Sequence, residues 1–479
     1  MRRSAPLLLA LGLLAPASAA WGQDVYFAPF DDPEGVALKV LDECRETLDV
    51  AQYNIRNLEY LEKLRELRGR GVRIRIVVDK KNADQPYNTL DDALEAEGFQ
   101  LVRYLNTQKP LAIMHLKAVV IDQQTVMTGS FNWNETAQFV NDENMLVIRD
   151  PALARAYTRE IDEFFGAPVL KGPHKGDTGT EVWFSPEDEP RKAVLREIDA
   201  AQERILVAMF TFVDQRVAKA LVKAVEERGV EVVMVVEKKQ ADRFDADELV
   251  AAAKPRPGAK APRVIVGGNV SSAHSAMHHK FAVFDGKKVI TGACNWTPTA
   301  FGGSNEDLLV LSNPALARRY TEGFGALVLR YGPEQFQAAE WAIDRAEGTA
   351  HFVVHCDATQ PGDEVFLIGG HPALGEWAPE RAVRMRTSEN MWPTWVANVR
   401  LPRGSHVEWK VLIRGPSGDR WEDVGGVNRA LDSEGHGTDG AWLVRWGQPG
   451  RIEAPRTTPG VGSAPTSGSG GIVGSIPGE

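Results

Sequence analysis

Short apolar runs alternate with amphipathic stretches over the first two thirds of the chain, and they do so twice. Asp24-Val25-Tyr26-Phe27-Ala28-Pro29 and Glu181-Val182-Trp183-Phe184-Ser185-Pro186 open the two rounds in nearly the same pattern. Each is followed by the apolar repeat of an amphipathic helix, at 34–47 and 189–203. A strand-like run comes next, at 48–55 and 205–212, then a second helical segment at 58–69 and 215–228. Gly71 and Gly229 close those helices as C-cap residues. VRIRIVVDKKNAD (72–84) and VEVVMVVEKKQAD (230–242) read as buried strands with charged exits. A strand carrying a His-x-Lys pair ends each round. The openings lie 157 residues apart and His115 lies 163 residues from His278, so the rounds are copies with small insertions. Alternating strands and helices predict an α/β protein: two tandem α/β/α domains with mostly parallel sheets, at 23–170 and 178–331.

Beyond these copies the pattern changes. A helical connector is expected at 332–348. From 349 to 447, strands such as DEVFLIGG and HVEWKVLIR are separated by Pro/Gly/Asp turns, the signature of an all-β sandwich. The tail at 448–479 is rich in Pro, Gly and Ser and is expected to be disordered. At the other end, two arginines, a short Leu/Ala run and Ala17-Ser18-Ala19 read as a signal peptide over 1–22, too short to span a bilayer. A secreted or periplasmic, soluble protein is expected, with no membrane-spanning segment.

The formal charge of −10 argues against a dedicated nucleic-acid binder, because a polyanion meets net repulsion. The three cysteines (Cys44, Cys294, Cys356) follow no framework spacing and read as buried free thiols. No Cys/His cluster suggests a metal, and no cofactor is implied.

Candidate chemistry lies in the doubled stretches 113–144 and 276–307. On a strand, side chains two apart share a face, so His115 and Lys117 project together while Met114 and Leu116 enter the core. Asn132 and Glu143 follow at +17 and +28, and Asn295 and Glu306 stand at the same distances from His278, with Lys280 at +2. A lone strand histidine is usually a satisfied core residue; the matched Lys, Asn and Glu reverse that reading. If both histidine strands face one cleft, the lysines and amides supply charge and hydrogen bonds for a phosphate. One imidazole can attack phosphorus while the other protonates the leaving oxygen. Each glutamate is expected to fix the tautomer of its own half's histidine through Nδ1. His274 and His279 lack such support and read as structural. Lys80-Lys81 and Lys238-Lys239 read as solvated strand exits.

The pattern His-x-Lys-x4-Asp-x6-Gly-Ser-x-Asn resembles the motif of the phospholipase D superfamily. His115, Lys117, Asp122, Gly129, Ser130 and Asn132 meet it in full. His278, Lys280, Asp285, Gly292 and Asn295 meet it with Ala293 in place of the serine. The resemblance covers about 24–330 and implies a pseudo-twofold pair of domains, a phosphohistidine on His115, and His278 as general acid and then base. It implies structural roles for Asp122 and Asp285. Ser130 is expected in the phosphate pocket, which Ala293 would leave one hydroxyl poorer.

CDATQPGDEVFLIGGHPALGEWAP, PTWVANVRLPRGSHVEWKVLIR and DRWEDVGGVNRAL resemble the starch-binding carbohydrate-binding module family 20. The resemblance implies an α-glucan platform of Trp377 and Trp421 with Lys410 and Asn428 as hydrogen-bonding neighbours, since indole faces suit sugar rings. Gln360-Pro361 replaces the tyrosine of the family's second site, which is expected to be weak or absent. Trp395 and Trp409 are expected in the core.

The expectation is therefore an exported, metal-independent phosphodiesterase acting on a phospholipid head group, monomeric, with an accessory α-glucan-binding module. The alternatives are a nuclease of the same superfamily, a transferase using the same intermediate, and a glucan-binding targeting or adhesion protein with weak catalytic halves.

Overall fold

The computed structural model describes residues 22–448 except 170, 242–245, 269–275, 333–346, 388–391, 403 and 433–440. His274, the tail from 449, most of the expected connector and nearly all of the expected signal peptide lie outside the described residues.

In the first half, β1 (Gly22–Ala28), α1 (Pro33–Leu41), β2 (Thr47–Gln52), α2 (Leu58–Gly69) and β3 (Arg73–Asp79) lead into α3 (Lys80–Ala83), α4 (Thr89–Ala96) and β4 (Gln100–Tyr104). Then come β5 (Lys117–Ile121), β6 (Thr125–Gly129), α5 (Glu135–Phe139), β7 (Glu143–Arg149) and α6 (Pro151–Phe164). The second half begins with β8 (His174–Lys175), β9 (Glu181–Ser185), α7 (Arg191–Ala200), β10 (Arg204–Met209), α8 (Gln215–Lys223) and β11 (Glu231–Glu237). It continues with α9 (Lys238–Ala241), α10 (Ala246–Ala251), β12 (Arg263–Gly267), β13 (Lys280–Phe284), β14 (Lys288–Gly292), β15 (Glu306–Leu311) and α11 (Pro314–Tyr331).

Local chemistry explains the boundaries. Asn57 caps α2 by accepting from the Glu59 amide, and Leu61, Leu64 and Leu67 bury one face of the helix. Asp150 before Pro151, and Asn313 before Pro314, start α6 and α11 in the same way. Gly71 and Gly229 take φ of +87° and +73°, as the helix stops require.

The sheets are mixed, which corrects the expectation of mostly parallel pairing. Their orders are β1-β7-β6-β5-β2-β3-β4 and β12-β11-β10-β13-β14-β15-β9-β8. Only β2-β3-β4 and β10-β11-β12 run parallel. The turns at Asp122-Gln123 and Asp285-Gly286, all at positive φ, reverse the chain too tightly for a parallel crossover. Asp122 accepts from the amides of Arg45, Glu46 and Thr47, and Asp285 from those of Gln202, Glu203 and Arg204. Each aspartate thus clamps its hairpin to the entry of a parallel strand.

Between the two sheets, α6 and α11 form a middle layer. Phe27, Met114, Tyr157, Phe184, Met277, Phe281 and Tyr320 belong to one buried cluster that spans both halves. Burying a large apolar side chain is worth about 1.5–3 kcal/mol, so this common layer binds the halves into one body. The outer helices cover the other face of each sheet with cores of their own. Among the described residues, no helix is long and apolar enough to cross a membrane.

The C-terminal unit pairs a sheet of β16 (Glu347–His355), β19 (Thr394–Pro402) and β23 (Ala441–Arg445) with a second sheet. The second contains β17 (Glu364–Gly369), β18 (Val383–Arg384), β20 (His406–Gly415), β21 (Gly418–Trp421) and β22 (Arg429–Asp432). Trp395 and Trp409 lie in its core as expected. Because strand side chains alternate, Val353 and Val396 point outward, where they pack on Phe139 and Val140 of the first half. Arg386 lies 5.4 Å from the Phe139 ring and pairs with Glu34, fixing the sandwich to the first half.

Candidate active site

His115 and His278 stand just before β5 and β13, correcting the expectation that they lie within the strands. Their segments instead reach across to the other half. The His115 amide donates to the Asn305 carbonyl and the His278 amide to the Asp142 carbonyl, at 2.9 and 3.0 Å. Asp79 at the end of β3 accepts from the Met114 amide, and Glu237 at the end of β11 accepts from the Met277 amide. Met114 and Leu116 are buried in the common layer, as the alternation predicts.

The carboxylates cross as well. His115 Nδ1 lies 2.6 Å from Oε2 of Glu306, and His278 Nδ1 lies 2.7 Å from Oε1 of Glu143. Each glutamate serves the histidine of the opposite half, which corrects the own-half pairing. The physical reason is the exchange of strand edges just described, which carries Asn305-Glu306 to His115 and Asp142-Glu143 to His278. Lys117 and Lys280 donate to the carbonyls of His115 and His278, both at 2.8 Å.

All of these side chains are buried. Burial pushes the His115 imidazole well below its ordinary value, and the positive charge of Lys117, Lys280 and His278 adds to the effect. An imidazole that stays neutral, with its Nδ1–H donating a hydrogen bond to Glu306, presents the Nε2 lone pair for attack. Burial raises Glu143 to about 7, opposed by Lys280, Ser130, Asn141 and Lys117.

Ser130, expected in the phosphate pocket, is buried directly after β6. Its hydroxyl accepts from the Asn144 amide at 3.0 Å. Ala293 has no such hydroxyl; its amide donates to Asp307 instead. Asn295 Oδ1 accepts from the Thr211 amide, next to Phe210. Asn132 is buried at the matching point after β6, and among the described residues its Oδ1 accepts no hydrogen bond.

Sequence reasoning missed Tyr53 and Phe210, whose rings stand edge-on to His115 and His278 at 5.4 and 4.6 Å. Lys117 and Lys280 lie 5.2 and 4.8 Å from the same rings. The two aromatics occupy equivalent places in the repeats, directly beyond the matched strands, and that equivalence was the available signal. Asn144 and Asp307 were also missed. Thr291 and Tyr320 donate to Asn144, while Thr128 and Tyr157 donate to Asp307, again across the halves. His279 meets Asn144 at 3.1 Å and packs edge-on to Phe27, a structural role as expected.

The lysine exits are not simply solvated. Lys80 pairs with Asp84, and Lys81 donates to the carbonyls of Pro110 and Ala112. Cys44, Cys294 and Cys356 are buried free thiols.

On the sandwich, Trp377 packs against Phe366, Ile368 and Leu412 on the outer face of the second sheet. Trp421 is exposed and pairs in register with Leu412, which places it on that face. Lys410 alternates with Leu412 toward the same side, and Asn428 donates to Glu408 at 3.0 Å. This face looks away from the Val353–Val396 docking face.

Two mixed sheets joined through a doubled His–Lys constellation define a protein of the phospholipase D superfamily. The chain belongs to the family described as cardiolipin synthase, PLD-like domain, which matches residues 37–165 and 194–328, more than half its length. Residues 349–439 match the starch binding domain family. The chain is 31% identical over 128 residues to a mitochondrial cardiolipin hydrolase of Chlamydomonas reinhardtii, covering 27% of this chain and 55% of that protein. It is 30% identical over 155 residues to a glucan 1,4-alpha-maltotetraohydrolase of Roseateles saccharophilus, covering 29% of this chain and 28% of that protein. The chain thus spans about half the length of the first relative and under a third of the second. The phosphatidylserine synthase structure of Haemophilus influenzae Rd KW20 overlays 64% of this chain and 86% of its own, with 12% identity and a TM-score of 0.49.

Proposed function

We propose that this protein is an exported phosphodiesterase of phospholipase D type. It hydrolyses the head-group bond of a phospholipid through a phosphohistidine, without a metal ion, while its sandwich binds an α-glucan such as starch. The observation that carries this reading is the pair of buried imidazoles, each oriented through Nδ1 by a carboxylate of the other half.

His115 Nε2 attacks phosphorus, and the head-group oxygen leaves with a proton from His278. A water then gives a proton to His278 and attacks phosphorus, and the phosphorus–nitrogen bond breaks to restore His115. Lys117, Lys280, Asn132 and Asn295 hold the phosphate oxygens as charge builds on them. Glu306 keeps His115 in the attacking tautomer, and Glu143 supports the imidazolium of His278. Ser130 lines the phosphate pocket on the first half's side. On the sandwich, Trp377 and Trp421 stack on glucose rings, with Lys410 and Asn428 at the hydroxyl edges.

The test is a side-by-side assay of phosphatidylcholine, cardiolipin and single-stranded DNA with EDTA present. Head-group release from a lipid is expected. Cleavage of DNA alone would replace this reading with a nuclease, and a requirement for divalent metal would overturn the metal-free route.

A further inference from the structure

The edge where the parallel strands β2, β3 and β4 end borders the site: Tyr53, Lys80 and Leu105 directly follow those strands, and the Tyr53 ring stands edge-on to His115. Four of the large apolar side chains left exposed lie on loops or at a helix start along this edge: Leu58, Tyr87, Leu105 and Leu111. Leu111 is 77% exposed, four residues before His115.

Leu105 and Leu111 stand on a braced loop between β4 and β5. Asn106 donates to the Gly303 carbonyl and the Asn305 side chain at 2.8 and 2.7 Å, and the Ile113 amide donates to Ser304. Lys81 donates to the carbonyls of Pro110 and Ala112. Lys109 lies along Gly302 and Gly303, where a β-carbon built on Gly303 would come within 2.9 Å of its stem. A loop fixed to both halves still turns Leu105 and Leu111 outward. Cations border it: Lys81 and Lys109 are exposed, and Arg56 lies 5.3 Å from the Tyr87 ring. Of the acids nearby, Asp84 pairs with Lys80 and Arg103, Asp92 and Glu95 pair with Arg103, and Glu59 lies 3.7 Å from Arg386.

We propose that this rim seats the enzyme on an anionic phospholipid bilayer, with Leu105 and Leu111 entering the acyl boundary and Lys109 at the head groups. Apolar insertion beside cations is the combination that such an interface rewards, and it sets His115 close to the lipid plane. The inference deepens the phospholipid reading and rests on it.

The experiment sediments the full chain with vesicles of phosphatidylcholine, and with vesicles of equal phosphatidylcholine and phosphatidylglycerol. Wild type is expected to bind the mixed vesicles more tightly, and Leu105→Ser with Leu111→Ser to weaken that binding about tenfold or more. Lys109→Gln is expected to weaken it several-fold and to flatten its salt dependence. Turnover of soluble bis(para-nitrophenyl) phosphate should be unchanged in all variants. If the leucine variant loses that turnover through misfolding, Lys109→Gln decides. Mixed-vesicle binding that is absent in wild type, or untouched by the substitutions, overturns the proposal. Release of head group from a monomeric short-chain phospholipid keeps the two readings apart. If it fails while vesicle binding persists, the phospholipid reading falls. If it succeeds without vesicle binding, only the docking surface falls.

Discussion

Glu306, in the second half of the chain, holds Nδ1 of His115 in the first half at 2.6 Å. Glu143 returns the bond to His278 at 2.7 Å, so each repeat contributes a histidine to one dyad and a carboxylate to the other. A half on its own would hold no complete dyad.

This crossing assigns different kinetic defects to two otherwise equivalent glutamates. Glu306→Gln should slow formation of the phosphoenzyme on His115, and Glu143→Gln should slow the steps that use His278. Each should cost about 10²- to 10⁴-fold in kcat, the range of a lost orienting carboxylate or acid–base group. Rapid-quench measurement of phosphoenzyme formation and decay separates the two. Reversed defects would point to own-half pairing.

The pH profile follows from the buried imidazole. His115 must be unprotonated to attack, and burial with nearby lysines depresses its proton affinity. The acid limb of kcat/KM should therefore fall well below the unperturbed histidine value of about 6.5. Neutral His115 persists as pH drops through that value, so the nucleophile's own acid limb appears only when His115 takes a proton. An acid limb above it would contradict the neutral nucleophile.

Trp377→Ala with Trp421→Ala should abolish starch pull-down and leave diester turnover intact, because the face that carries both indoles lies on the sheet away from the docking face. Unchanged starch retention would remove these two residues from the sugar site.

The docking of the sandwich is itself testable. Val353→Asp with Val396→Asp places two carboxylates against Phe139 and Val140, and a buried unpaired charge is strongly unfavourable. Differential scanning calorimetry should show the sandwich melting separately from the catalytic body. A single transition at the wild-type temperature would mean that this contact contributes nothing.

Much of this was legible in the chain. The duplication, the doubled His-x-Lys pairs and the turn from α/β to all-β texture all appear as spacing. The partner of each histidine does not. The His-to-Glu distance is 28 in both copies, so own-half and crossed pairing look identical along the sequence. Only the exchange of strand edges at Asn305 and Asp142 separates them. The surroundings of Ser130 are hidden for a related reason: Asn144, whose amide donates to its hydroxyl, comes near it only once β6 and β7 pair. The mixed sheets were written in the positive-φ turns at Asp122 and Asp285, whose residues read first as parts of a motif.

The most direct test is to trap the intermediate in the His278→Asn variant. With bis(para-nitrophenyl) phosphate the leaving group needs little acid help, and without His278 no base activates water. Peptide mass spectrometry after quenching at alkaline pH should find a para-nitrophenyl phosphoryl adduct on His115. An adduct on another residue, or near wild-type turnover with none, would contradict the two-histidine account.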